Sequence, residues 1–225
     1  NSLFIVTSNP GGIVGENRSG DDFSASLIAL DTNTGKIKWQ YKHIVNDLWD
    51  FDLISNPIVI KNLNLTHRNK PVDCVIALSK TGDVIMVNID NGLPVFEDSY
   101  IDVAVPKSDM KNVHTPKTQK FYLKPEKFSS IEINFDKDFS HLEEDNLIYV
   151  KNKLRHAKSG FFIPTSVNHD VILYGLHGGA EWPGATLYKD KDSANLIIPS
   201  NKTPWILRIN FQDKKYLKIL NNSYY

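Results

Sequence analysis

Ile28-Ala29-Leu30-Asp31-Thr32-Asn33-Thr34-Gly35 is a short apolar run that ends in a polar turn closed by glycine. Lys36-Ile37-Lys38-Trp39-Gln40-Tyr41 leads back from it. The pair reads as strand, turn and return strand. Thr34-Gly35 makes the tight turn, because glycine takes a positive φ without steric penalty, and Asp31 is placed to bond the turn amides. The pattern returns at Ile85-Met86-Val87-Asn88-Ile89-Asp90-Asn91-Gly92, followed by Leu93–Phe96. The two glycines lie 57 residues apart (92 − 35). A bare propeller blade has ~40–50 residues, so a propeller reading requires insertions.

Further apolar, β-branched runs occur at Leu3–Thr7, Val59–Ile60, Val72–Leu78, Val84–Asn88, Val171–Tyr174, Leu196–Pro199 and Trp205–Ile209. Turn signals separate them, among them Asn9-Pro10-Gly11, Thr81-Gly82-Asp83 and Gly178-Gly179. Many short strands with regular turns indicate an all-β sandwich, barrel or propeller, and the internal repeat favours the propeller. The stretch from about Lys107 to Arg155 differs. It is polar, rich in Lys, Asp and Glu, and poor in alternation, so it reads as an extended excursion with one short helix within Asp136–Leu154. A segment of that length is a functional loop or lid, or else disordered.

The 225 residues are enough for one or two domains with a sizeable core. Lys plus Arg equals Asp plus Glu at 26 each, giving zero formal net charge. A nucleic-acid binder shows a basic excess or stripe, and none is present. No apolar run reaches the ~18 residues of a membrane span. Cys74 is the only cysteine, which excludes an internal disulfide and a cysteine-based zinc cluster. It lies in an apolar run and reads as a buried, inert thiol. There is no Cys-x-x-Cys-His, so this chain carries no c-type haem. The chain opens inside a strand, without Met or a leader, and reads as a fragment or processed piece.

Asn46-Asp47-Leu48-Trp49-Asp50-Phe51-Asp52 places three carboxylates around a tryptophan. In an extended segment alternate side chains share a side, so Asp50 and Asp52 can face one point. Two readings fit. The acids are ligands of a hard cation or a base beside a ligand, or they form a solvated turn with Trp49 packed beneath.

Ala29-x-Asp31-x-x-Thr34-Gly35-x-x-x-Trp39 resembles the tryptophan-docking motif of the eight-bladed quinoprotein dehydrogenases, in which the tryptophan stacks between neighbouring blades. Further segments resemble that family in the same order: Thr7-Ser-Asn9-Pro10, the Asn46–Asp52 segment, Ala77-Leu-Ser-Lys80-Thr-Gly82, and Gly178-Gly-Ala-Glu181-Trp182. Lys80 and the glutamate before Trp182 resemble the membrane glucose dehydrogenase branch. The resemblance implies a partial β-propeller with four-stranded antiparallel blades. It would hold about three to four of the eight blades, roughly half of the parent, with residues 1–225 as one domain and the polar insertion at about 107–155.

By the same resemblance the cofactors are pyrroloquinoline quinone (PQQ) and Ca²⁺. Asn9 would give an amide oxygen to the metal, and Asp50 would lie beside it and act as general base on the substrate hydroxyl. Asp52 matches an extra metal ligand of lanthanide-dependent relatives. Lys80 would point at the quinone oxygens, and Glu181 and Trp182 would line the quinone pocket. The implied reaction oxidises a sugar or alcohol hydroxyl and passes electrons to ubiquinone or cytochrome c, in the periplasm. The remaining blades would be this chain's partner. Asn46 stands where the family motif has His, and an amide cannot titrate. Two other readings stay open: a non-catalytic propeller scaffold built from the same repeat, and an inactive fragment. His43, His114, His169 and His177 have no metal-ligand spacing and read as surface or structural.

Overall fold

The strand–turn–strand around Asp31 forms as its turn chemistry dictates. In the computed structural model, which describes residues 1–11, 15, 18, 23–130, 132–190, 193–212 and 216–222, β1 (Ser2–Val6), β2 (Ser26–Asp31) and β3 (Ile37–Lys42) form an antiparallel sheet in that order. Asp31 Oδ1 accepts the N–H groups of Asn33 (3.0 Å) and Thr34 (2.9 Å). The next sheet follows the same plan, with β4 (Leu53–Leu63), β5 (Val72–Ser79) and β6 (Val84–Asn88) in sequence order. Beyond β6 the chain returns beside it. Asn88 N–H donates to Leu93 O (2.8 Å) and Val95 N–H to Met86 O (3.0 Å), but only a single bridge, Val87 to Pro94, is made. Proline has no N–H with which to extend the ladder.

Side chains on a strand alternate between faces, so a strand covered on both sides must be apolar throughout. Strand β5 meets this condition from Cys74 to Leu78. Val75 and Ala77 join Leu27, Ala29 and Trp39 in one core cluster. Cys74, Ile76 and Leu78 join Ile54, Ile60 and Ala180 in another. The second sheet is therefore packed between neighbours, as a blade is. Cys74 is buried there, and burial pushes its thiol up to about 11.

Trp39 closes the seam between the first two sheets. Its Nε1–H donates to Ile89 O (3.0 Å), and its ring lies 5.7 Å from that of Phe4. Gly92 of the second turn lies against the indole, where a Cβ would stand 2.7 Å from Cε3, and its φ is +70°. Gly92→Ala is expected to lose about 2 kcal/mol, from the left-handed backbone and the overpacked ring. Urea unfolding measures this, and an unchanged midpoint would refute the docking role of the turn.

The polar stretch holds more structure than its composition suggests. β7 (Tyr100–Ala104) pairs with β8 (Thr118–Tyr122), which lies inside it, and two helices follow, α1 (Phe135–Asp138) and α2 (Glu144–Leu154), where one was expected. Strand β8 escapes a hydropathy reading because a glutamine serves as a buried anchor. The Gln119 side chain accepts Val45 N–H (3.0 Å) and donates to Val45 O (2.6 Å). Helix α2 has Glu144 and Asp145 in its first turn and Lys151 and Lys153 in its last, matching the helix dipole.

The rest of the chain adds β9 (Val171–Leu173), β10 (Gly178–Ala180), β11 (Thr186–Lys189), β12 (Ala194–Ile197), β13 (Ser200–Lys202), β14 (Trp205–Gln212) and β15 (Tyr216–Asn222). The β11–β12 hairpin is inserted between β10 and its partner β13, and β15-β14-β9 form a three-stranded sheet. The described sheets thus have two or three strands each. A third core gathers Trp49, Phe51, Phe162, Leu173 and Leu207.

Candidate active site

Four connections meet at one end of the first two sheets. The antiparallel pairing of β4 and β5 puts the start of one beside the end of the other, with Leu53 opposite Ser79. The ladder continues one step further, where Lys80 N–H donates to Asp52 O (3.2 Å). The acidic segment before β4 and the turn after β5 are thereby forced together.

The side chains complete the contact. Lys80 Nζ lies 2.8 Å from Asp50 Oδ2 and 2.9 Å from Asp52 Oδ1. Asn9, on the connection after β1, reaches both acids. Its Nδ2 donates to Asp50 Oδ1, and its backbone N–H donates to Asp52 Oδ2 (3.1 Å). Asn9 Oδ1 accepts the Gly11 N–H (3.2 Å). Asp52 is 2% exposed, and its Oδ1 has the ammonium of Lys80 beside it but no aligned hydrogen-bond donor. Burial pushes the Asp50 carboxyl up, with Lys80 opposing. For Lys80, burial acts downward, but the charges of Asp52 and Asp50 override it and hold the ammonium protonated.

The backbone of this segment is unusual. Asp50 has φ +62° and Asn46 +47°, in the left-handed region that short polar residues tolerate best. Asp47 holds the bend. It is buried and accepts the N–H groups of Trp49 and Phe51, each at 2.9 Å. Burial pushes its carboxyl to about 7. Asp47 is therefore a structural acid, and Trp49 packs beneath the segment. Asn46 accepts from Arg18 Nη1 (3.1 Å) and donates to His114 O. Arg18 also donates to Asp47 O and, through Nη2, to Gly11 O (2.7 Å). It ties the Asn9 turn to the acidic segment, and no sequence pattern marks it.

Strand β10 and the turn after it touch the same place. Gly179 lies so close to the backbone of Lys80 that a Cβ there would stand 2.3 Å from Lys80 O. Trp182 is 69% exposed, and the centroid of its ring lies 5.9 Å from Lys80 Nζ. Glu181 accepts from Asn201 Nδ2, and its link to the cluster runs through the neighbouring Trp182. His43 is structural: it is buried, and desolvation holds it well below its ordinary pKa and so neutral. Among the described residues no group of three His, Cys, Asp or Glu side chains is arranged for a metal. Two carboxylates meet at this site, and the Asn9 amide faces Asp50 through its nitrogen while its oxygen accepts from Gly11 N–H.

Antiparallel sheets stacked face to face, with acids, an amide and a lysine gathered on the loops at one end, define a blade-built protein with a charged loop site. A model of the glucose/ethanol/alcohol dehydrogenase β-propeller domain (PQQ) matches residues 1–222. The chain belongs to this family. Quinoprotein glucose dehydrogenase A of Acinetobacter calcoaceticus is 27% identical over 179 residues, 76% of this chain and 22% of the relative. A probable quinate dehydrogenase (quinone) of Xanthomonas campestris pv. juglandis is 33% identical over 122 residues, 53% of this chain and 15% of the relative. The crystal structure of quinohemoprotein alcohol dehydrogenase from Comamonas testosteroni superposes with a TM-score of 0.53 at 17% identity, over 96% of this chain and 25% of that one. The fold is thus a partial β-propeller. The chain spans about a quarter or less of these relatives' length, a smaller share than the half that the motif order implied.

Proposed function

We propose that this chain supplies one wall of the active site of a dehydrogenase that uses PQQ and Ca²⁺ to oxidise a sugar or alcohol hydroxyl. The observation that carries this reading is the junction of Asn9, Asp50, Asp52 and Lys80, brought from three connections to direct contact. The donor set suits a hard divalent cation, which takes six to eight oxygens. Asn9, Asp50 and Asp52 would hold it together with donors from outside this chain. The buried Oδ1 of Asp52 has the Lys80 ammonium beside it but no aligned hydrogen-bond donor, and so is one oxygen with capacity to spare. PQQ, when bound, supplies the acceptor for the electron pair that leaves the carbon.

The chain's own residues then have separate tasks. Asp50 takes the hydroxyl proton at a carboxylate oxygen, which an adjacent cation keeps ionised despite burial. Lys80 presents a fixed positive charge to negative charge developing on a bound ring. Trp182 offers an exposed apolar face for a flat ring to cover, and Glu181, its chain neighbour, would line the quinone pocket beside it. A non-catalytic scaffold would have no chemical use for this convergence. The relatives named as glucose, quinate and alcohol dehydrogenases support a sugar or alcohol substrate; a ubiquinone or cytochrome c acceptor and a periplasmic setting belong to the same proposal.

The test is dye reduction by the full-length protein with sugars and alcohols. Activity is expected only with PQQ and Ca²⁺ present, to disappear with EDTA, and to return when Ca²⁺ is restored. Absence of PQQ-dependent turnover in protein shown to bind PQQ would overturn the reading.

A further inference from the structure

The turn that carries Lys80 is gripped by the polar stretch. Asp83 is buried at the end of that turn and organises it. Its N–H donates to Ser79 Oγ (3.1 Å), its Oδ2 accepts from Thr81 Oγ1, and its backbone O accepts Ser79 N–H (3.2 Å). Its other carboxylate oxygen pairs with the ammonium of Lys127. That ammonium is itself packed over the rings of Phe121 (5.2 Å) and Phe161 (5.8 Å).

The residues after Lys127 continue the grip. Phe128 N–H donates to Gly82 O (3.0 Å). Ser129 lies so close that a Cβ on Gly82 would stand 2.3 Å from its carbonyl oxygen. A turn of five residues is thus held through its acid, its carbonyl and its glycine by one short run, 44 residues downstream at the Lys127–Asp83 pair. The Lys80 ammonium reaches from the same turn to Asp50 and Asp52.

We infer that Lys127 is a positioning residue for Lys80: by pairing with Asp83 it fixes the turn from which Lys80 reaches the acid pair. This rests on the dehydrogenase reading above. Lys127 touches neither Asp50 nor Asp52 and has no proton to move in the reaction. Its effect is geometric, and a displacement of about 1 Å at a reacting group is enough to cost up to a hundredfold in rate.

The test uses the full-length protein loaded with PQQ and Ca²⁺, with two independent readouts. In steady state, Lys127→Met is expected to lower kcat per loaded site about tenfold, with KM for the substrate unchanged. Lys127→Arg, which keeps the pair with Asp83, should restore it. Placed on a Lys80→Met background, Lys127→Met should add no further loss. Amide hydrogen exchange over residues 79–83 should be faster in Lys127→Met and normal in Lys127→Arg, with or without cofactor. Should Lys127→Met fail to fold because Asp83 is left unpaired, the double variant Asp83→Asn/Lys127→Met removes the stranded charge and should show the same kcat loss and faster exchange. Unchanged exchange over 79–83, or a loss that is additive with Lys80→Met, would overturn the inference. If the wild-type protein shows no PQQ-dependent turnover, the dehydrogenase reading fails, and exchange over 79–83 decides the Lys127 grip on its own.

Discussion

Asp50→Asn in the full-length protein is expected to lower kcat by about a hundred- to ten-thousandfold, the range for removal of a positioned general base. The substitution is well suited to the site. Asparagine has the size of aspartate and adopts the left-handed backbone at this position (φ +62°) at least as readily. Its amide oxygen can still accept from Asn9 Nδ2, as Asp50 Oδ1 does. What is lost is the charge, and with it the ability to take a proton and one of the two counter-charges of Lys80. Stopped assays with a dye acceptor measure the rate, and the urea midpoint should stay near that of the wild type. Full activity in this variant would sink the assignment of Asp50 as base. A loss caused only by weaker metal binding would be recovered at high Ca²⁺, which separates the two roles.

Trp49→Ala is expected to have the largest effect on stability. Trp49 is 1% exposed. Its ring stacks on Phe51 at 6.0 Å and meets the edge of Phe162 at 5.3 Å, and its Nε1–H donates to Ile163 O (2.9 Å). Removing a buried tryptophan costs about 3–5 kcal/mol, a large part of the roughly 5–15 kcal/mol that holds a domain folded. The alanine variant also leaves Ile163 O without its donor. Trp49→Phe should recover most of the packing and lose only that hydrogen bond, about 1 kcal/mol. Urea unfolding of both variants measures the difference. A loss below about 1 kcal/mol in Trp49→Ala would mean that the site collapses around the gap and that the tryptophan is not the floor of the acidic segment.

Much of the fold was legible because its signals are local. Asp31 and Gly35 specify a turn within five residues, and the apolar run Val72–Leu78 marks a strand with a buried Cys74. The acids and the lysine of the site were also visible as residue types in order along the chain. The missed elements share a different character. Strand β8 is anchored by Gln119 and Tyr122, polar groups whose partners, Val45 and Tyr41, lie far upstream. Arg18 and Lys127 stand in stretches without periodicity, so nothing in their surroundings distinguishes them from solvated surface charges. His43 reads in sequence as surface or structural, and burial beside Tyr122 and Thr81 decides for the second.

By itself the sequence determined the apolar strands, the glycine turns beside them and the chemistry available at the loop ends, because side-chain alternation and turn preferences act over a few residues. Only the tertiary structure decided which groups face one another. Lys80 meets Asp50 and Asp52 because β4 and β5 are antiparallel and in register, and Trp39 reaches Ile89 across 50 residues because two sheets stack. Charge pairing depends on distance in space, and that distance is set by how the chain reverses between strands.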